Sequence, residues 1–515
     1  MMINEDNHAE YMPQLIEDYK GNPFIEALPP IMPSAEAAVG ALSVKPVYNE
    51  AERGLDTYYR LHSVLRLSRY FQPLNIHLDI EQRVSRSIRQ GYVGRNPLAP
   101  QYVQRFRQID QRFEPADFRS VRTTSAGFTM IGISGVGKTT AIERVMSLYP
   151  QCVTHTQYAG KPFYVKQVAW MKLDCPYDGS IKGLCINFFS ELDRILQTDY
   201  AKYFPASRVT VDIMMNKMTT LAHTHGLGLL IIDEIQHLSQ ANSGGSEKML
   251  NFFVTLVNTI GVPVILIGTP KALPILQSEF RQARRGSGQG DLIWERMEND
   301  GSWEILLHAM WKYQWTRDKC PFTVEMKNAL YDETQGIVDL AVKLYGIAQI
   351  KAIYSGAELL TADIIKESAD ESMKLVKPMV DALRSGDMRR IMQYDDIRPI
   401  SIEDYLAAHV KQALPSEEAI QNISLEEQAV VKLIEMDIPA KTARACVKKA
   451  MSGQKSGQPL GQVIQKAFKM TINPDSDDIS PQTQPEEKDL RGGGSEEPYC
   501  RLREAGVISD GKGEW

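Results

Sequence analysis

The chain has 515 residues, 43% of them apolar, enough to bury cores in about two to four domains. A formal net charge of −6 excludes a globally basic polyanion binder, and no apolar run reaches the roughly 18 residues that cross a bilayer. Six cysteines without a C-x-x-C pair argue against a zinc framework, and the acidic start argues against a secretory signal, so a cytoplasmic protein with ordinary thiols and no membrane partner is expected.

Residues 1–49 are Pro-rich, with "GNPFIEALPPIMP" offering an apolar cluster between helix breakers, and are expected to form an extended docking arm. Residues 50–118 read as a helical region in which Ile76, Ile80, Val84 and Ile88 recur every four positions while Arg83, Arg86 and Arg89 line another face. Between Pro46 and Gly137 there is no lysine, yet arginines recur from Arg53 to Arg122 with Tyr58, Tyr59, Tyr70, Phe71, Tyr92, Tyr102 and Phe106 among them. Two readings stand: a surface that recognises phosphate or carboxylate, or helices with solvated arginine faces.

Residues 119–275 alternate strand-like runs with helices: "GFTMIGI", "QVAWMKLDC", "LGLLIIDE" and "VPVILIGT". The last three suit a parallel sheet covered on both faces, so an αβα sandwich is expected. Met249, Leu250, Phe252, Phe253, Leu256, Val257 and Ile260 form the apolar stripe of a helix between the last two runs. Residues 276–400 and 401–470 read as helical, the first a lid or extension, and 471–515 as an acidic, Pro/Gly-rich linker with a short tail.

The segment "GISGVGKT" from Gly132 to Thr139 follows an apolar strand and opens a helix, which is the context of a phosphate-binding loop. Backbone N–H groups from Gly132, Ser134, Gly135, Gly137 and Thr140 would cradle phosphate, Lys138 would neutralise its oxygens, and the Thr139 hydroxyl would reach Mg²⁺. "LLIIDEIQHL" places Asp233 at a strand end for the Mg²⁺ shell and Glu234 beside it to polarise the attacking water. ATP and Mg²⁺ are the expected cofactors, and hydrolysis the expected activity. Thr269 ends the next strand, where it either holds the lytic water or γ-phosphate or caps the helix before Pro270; His237 reads as a structural or signalling residue at a strand end, with a catalytic role the alternative, and Met214, Met215 and Met218 as core filler in preference to a docking surface.

This succession of strands resembles the additional-strand P-loop NTPases and the AAA+ superfamily. The resemblance implies ATP held between subunits with an arginine supplied by the neighbour. "SEFRQARRGSG" offers Arg281, Arg284 and Arg285, each of which alternatively lies on a solvated face or contacts DNA. A second sensor arginine is expected where "TQGIVDLAVKLY" has Asp339; Lys343, one turn later, is the candidate substitute. Lys182 and Arg208 fall where ring-forming relatives line a central pore, and are candidate DNA contacts.

Together "NPFIEALPP", "QGYVGRNP", the P-loop, "LLIIDEIQHLS", "GGSEKMLNFFVTLVNTIGVPVILIGTPKA" and "LRSG" resemble the TnsC family, AAA+ regulators of Tns-type transposons including CRISPR-associated ones. The resemblance implies a protein that assembles on double-stranded DNA as a ring (a heptamer among the expectations) or short filament of itself. Its implied partners are a target-selection protein of TnsD or TniQ type and transposase subunits of TnsA or TnsB type. Hydrolysis would limit the assembly's lifetime, the N-terminal arm would meet the selector or steady the ring, and the tail would meet the transposase. A helicase-loader or other replication-associated ATPase is the rival reading.

Overall fold

The computed structural model describes residues 7–100, 127–203, 209–240, 261–276, 290–387, 390, 401–413, 425–436, 438–451 and 460–472. The chain divides into two compact units, Met1–Lys411 and Gln412–Trp515.

A five-stranded parallel sheet organises the first unit. Its strands are β1 (Phe128–Gly132), β4 (Trp170–Asp174), β5 (Leu229–Asp233), β6 (Val264–Gly268) and β7 (Asp291–Trp294), while β2 (Cys152–Tyr158) and β3 (Lys161–Val168) form a separate antiparallel hairpin. The order is β4-β5-β6-β1-β7. β1, β5 and β6 are buried at every position, the signature of central strands covered on both faces. β6 stands between β1, which leads into the P-loop, and β5, which ends in Asp233, so the additional-strand arrangement is present.

Two short helices, α1 (Pro23–Glu26) and α2 (Ala35–Leu42), belong to the segment expected to be an extended arm. That segment is docked: Tyr19, Phe24, Ile25, Leu28 and Leu42 share one core with Met130, Ile231 and Ile267 of the sheet. Polar ties reinforce the packing, since Ala9 donates to Thr154 O at 3.0 Å, Thr154 donates to Asn7 O at 2.8 Å, and Asn22 Nδ2 donates to Tyr92 O at 2.8 Å. Proline breaks the helical periodicity but leaves the apolar residues between the breaks needing burial, which the sheet face provides.

The region expected to be one helical unit over 50–118 divides in space. Helix α3 (Thr57–Val64) contributes Leu61 and Val64 to a helical core elsewhere, whereas α4 (Asn75–Val93) lays Ile80, Val84 and Ile88 on the sheet. Helix α5 (Lys138–Met146) covers the same face through Ala141, Ile142 and Val145. The other face carries α6 (Ile181–Leu196) and α7 (Val211–Thr224), where Phe188, Phe189, Met214 and Met218 pack against Met171, Leu230 and Ile232.

Beyond the sheet, α8 (Gly301–Met310), α9 (Val324–Thr334), α10 (Val338–Tyr354), α11 (Ala362–Ser372) and α12 (Lys377–Ser385) build the helical core that α3 joins. Helix α10 is apolar nearly all round and sits at its centre. In the second unit, α13 (Leu425–Ile434), α14 (Ala440–Met451) and α15 (Leu460–Ile472) share a small core of Ala429, Leu433, Ala443, Val447 and Ala467. The apolar-striped helix expected over 246–260 and the tail after 472 lie outside the described residues.

β7 and the hairpin went unread in the sequence. Asp291–Trp294 is too short for a period, and the hairpin turns at Ala159 and Gly160, both with positive φ, a signal visible as "YAGK" between β-branched and aromatic runs.

Candidate functional site

The P-loop begins where β1 runs out. A Cβ at Gly132 would lie 2.4 Å from the Trp294 carbonyl oxygen, so this glycine lets β7 approach. Gly137, at φ 104°, turns the chain into α5, and no side chain obstructs the space above it. The free N–H groups at the start of α5 then face a cavity lined by Ser134, Gly135, Gly137, Lys138, Thr139, Thr140, Asp233, Glu234, Gly268, Thr269 and Asp339. The fold thus brings most of the expected nucleotide residues to one place.

Lys138 is buried, and its Nζ donates to the carbonyls of Gly132 at 2.8 Å and Ile133 at 3.0 Å. Burial pushes its pKa below the ordinary lysine range, against the opposing pull of Asp233 and Glu234. The Thr139 hydroxyl donates to Asp233 Oδ2 at 2.8 Å. Two hard oxygen donors so placed, one of them a carboxylate, are a donor set suited to Mg²⁺.

Lys172 on β4 was not singled out from the sequence. Its Nζ lies 2.7 Å from Glu143 of α5, 3.5 Å from Asp233 and 3.9 Å from Asp174. Burial opposes its charge, but the Glu143 hydrogen bond and the Asp233 charge outweigh this and raise its pKa. The parallel register that pairs Lys172 with Ile231 sets it beside the acidic strand end, a placement no spacing in the sequence encodes.

Glu234 takes a left-handed backbone, φ 58°, unusual for a non-glycine residue, and its N–H donates to Asp233 Oδ1 at 2.9 Å. Its carboxylate accepts from Gln236 Nε2, and Gln236 Oε1 accepts from the Thr269 N–H at 3.1 Å. Thr269 is buried and occupies the N-cap position of the turn that starts at Pro270, with no side-chain cap hydrogen bond and its carbonyl accepting from Ala272 N at 3.0 Å. His237 approaches the Cys175 carbonyl oxygen, Nδ1 to O 3.1 Å, and packs its ring on Tyr177.

A second cavity adjoins the first and shares Gly137, Thr140 and Asp339 with it. Tyr70, Phe71, Ile76, His77, Trp294 and Val342 give it apolar and aromatic walls. Lys343 lines this cavity and not the first, with Nζ 2.7 Å from Asp339 Oδ2. The cation expected of a second sensor is thus joined to the acid that stands in the sensor's place.

The arginine-rich region proves largely structural. Arg60 is fully buried, with Nη1 and Nη2 each 2.6 Å from a Glu358 oxygen. Arg95, also buried, donates to Leu227 O at 2.6 Å and lies over the Tyr92 ring, while Arg89 donates to Ser85 and Pro29. Arg53 binds the carbonyls of Thr316 and Arg317, and Arg66 and Arg83 pair with Glu52 and Asp79. Most of these arginines tie elements together, whereas Arg69 and Arg86 are exposed and keep the two surface readings open at their positions; Arg105 to Arg122 lie outside the described residues. So do Arg208 and the finger candidates Arg281, Arg284 and Arg285. Lys182 is half-buried at the second position of α6 and lines neither cavity.

Among the described residues no helix is long and apolar enough to cross a membrane, and no cluster of three metal-binding side chains occurs.

Residues 122–276 match the family model described as an AAA domain. No curated protein matches the chain. Similar solved structures include the Aeropyrum pernix ORC1 protein in complex with DNA, at 12% identity and TM-score 0.36 over 73% of this chain and 84% of that one. The Aeropyrum pernix ORC2 protein, in ADPNP and ADP complexes, gives 11% and 0.34 over 68% and 89%. The Thermotoga maritima RuvB Holliday junction branch migration motor gives 13% and 0.30 over 55% and 80%. With the strand order β4-β5-β6-β1-β7 and the P-loop after β1, the family match makes this an AAA+ P-loop fold carrying an AAA+ ATPase domain.

Proposed function

We propose that this protein binds and hydrolyses ATP to control the lifetime of an oligomer on duplex DNA, and that the oligomer regulates transposition. The observation that carries the ATPase reading is the meeting of Lys138, Thr139, Asp233, Glu234 and Thr269 around one cavity beside an aromatic-walled neighbour. The triphosphate takes the first cavity and the adenosine the second, whose walls between Tyr70–His77 and Val338–Lys343 suit a flat apolar base. Lys138 leaves its carbonyl partners for the phosphate oxygens, which compensate its charge better than neutral acceptors do.

Thr139 and Asp233 would hold Mg²⁺, which when bound would neutralise charge on the phosphate oxygens. Glu234 orients the attacking water and takes up its proton as the γ-phosphoryl group transfers. An arginine from a neighbouring copy, among Arg281, Arg284 and Arg285, completes the charge balance in trans, which makes turnover depend on assembly.

The transposition reading rests on the TnsC-like strings, "LLIIDEIQHLS" and the run from Gly244 to Ala272 above all. On that reading a target-selection protein recruits the DNA-bound, ATP-loaded oligomer, transposase subunits follow, and hydrolysis dissolves the assembly. Anisotropy and negative-stain imaging of the purified protein on short duplex, with ATP, a non-hydrolysable analogue and ADP, test the first step. Rings or filaments on DNA with ATP or the analogue and none with ADP support it, and DNA binding indifferent to nucleotide overturns it. Pull-down of transposase subunits on the loaded DNA then tests the second step, and capture of a replicative helicase in their place would favour a loader.

A further inference from the structure

We propose that Gln236 is the positioning residue of hydrolysis, coupling the end of β6 to Glu234; the inference rests on Glu234 acting on water as described above. Gln236 is 4% exposed, with the two ends of its amide committed in opposite senses. Nε2 donates to Glu234 Oε2, and Oε1 accepts from the Thr269 N–H at 3.1 Å. The amide cannot turn over: reversal would set Oε1 against a carboxylate and Nε2 against an N–H donor. One rigid group therefore fixes one Glu234 oxygen relative to the backbone of Thr269, at the edge of the phosphate cavity that both residues line.

Two further features show that the bridge is built in. A Cβ at Gly268 would lie 2.6 Å from Ile235 Cγ1 and 3.1 Å from Gln236 Oε1, so the strand end is kept bare where the amide approaches. Glu234, at φ 58°, directs its side chain out of the sheet line and back toward Gln236, two residues on. A shift of Thr269 toward the γ-phosphate is transmitted to Glu234 through two hydrogen bonds without any change in β5. Gln236 never touches the nucleotide on this account; it acts through Glu234.

The test is steady-state ATP hydrolysis by the full chain with duplex DNA, for Gln236→Leu and Gln236→Met, in the native and Glu234→Gln backgrounds. Both substitutions keep the volume and remove the donor and the acceptor. We expect kcat to fall about tenfold or more with KM for ATP within about threefold, because a misplaced catalytic group costs turnover and not binding. In the Glu234→Gln background neither substitution should reduce kcat further. Native kcat in both Gln236 variants, or an equal further loss in the Glu234→Gln background, would overturn the coupling while leaving the ATPase reading intact. Native turnover in Glu234→Gln alone would overturn the reading of Glu234 and the coupling with it. Loss of thermal stability with kcat unchanged in the folded fraction would reduce Gln236 to a packing role and so overturn the proposal.

Discussion

Thr139 and Asp233, 94 positions apart in sequence, meet through a 2.8 Å hydrogen bond from hydroxyl to Oδ2. The contact joins the first turn of the helix after the P-loop to the end of β5, across the intervening β6. It defines where a divalent cation would be shared. Thr139→Val keeps the shape and removes one oxygen. The Mg²⁺ concentration for half-maximal hydrolysis should rise about tenfold or more, while ATP binding measured in chelator stays near the native value. An unchanged Mg²⁺ requirement would remove Thr139 from the metal shell.

Lys138 is buried and held by two neutral carbonyls, so its removal should harm binding without harming the fold. Lys138→Met should unfold at or above the native temperature without nucleotide. With ATP at about a hundred times the native Kd, the native protein gains about 2.7 kcal/mol and the variant none. Thermal scans with and without ATP distinguish this from a lysine that merely supports the loop, whose loss would lower both transitions.

Arg60 fastens α3 to the turn after α10 through both Glu358 oxygens, and also donates to the carbonyls of Leu55, just before α3, and of Trp315, beyond α8. Glu358 holds φ 54°, and its carboxyl, though burial raises its pKa, is brought below the ordinary range by Arg60 and Arg317. Arg60→Met should cost about 1–2 kcal/mol of unfolding free energy in a denaturant titration, because the half-buried Glu358 carboxylate loses its two-pronged partner and keeps only Arg317, while the Leu55 and Trp315 carbonyls lose a donor. Arg60→Lys should recover little of it, since an ammonium cannot match both oxygens and both carbonyls at once.

His77 lies between Phe71 and Trp294, and its Nδ1 accepts from the Leu74 N–H at 2.8 Å at the start of α4. Burial lowers its pKa from 6.5 to about 4. Between those values the unfolded chain binds the proton and the native chain does not, so stability falls as pH drops from about 6.5 toward about 4. The full contribution is on the order of 3 kcal/mol. His77→Gln, which can still accept from Leu74, should flatten the pH dependence of the unfolding temperature across that window; a parallel curve would assign the loss to other groups.

Lys182, if it lies on the DNA path, makes a charge contact that salt weakens. Lys182→Glu should reduce duplex affinity in the ATP state and lower the slope of log affinity against log salt by about one or more. An unaltered slope would put the DNA elsewhere.

The sequence by itself located the candidate nucleotide residues. Lys138, Thr139, Asp233, Glu234 and Thr269 stood in motifs whose local context, apolar strand then polar end, is written in consecutive residues. The tertiary structure decided what depends on register and on which strand lies beside which. Lys172 reaches Asp233 because β4 pairs in parallel with β5, and Gln236 reaches Thr269 because β5 and β6 are neighbours. A four-residue edge strand, β7, acquires its conformation from β1 and not from its own pattern. The arginines show the same division: their recurrence was plain in the sequence, but whether a guanidinium faces solvent or a buried carbonyl is set by how much surface the fold places over it. Arg60 and Arg95 are structural ties because α3 and α4 part company after residue 70, one toward the helical core and the other onto the sheet.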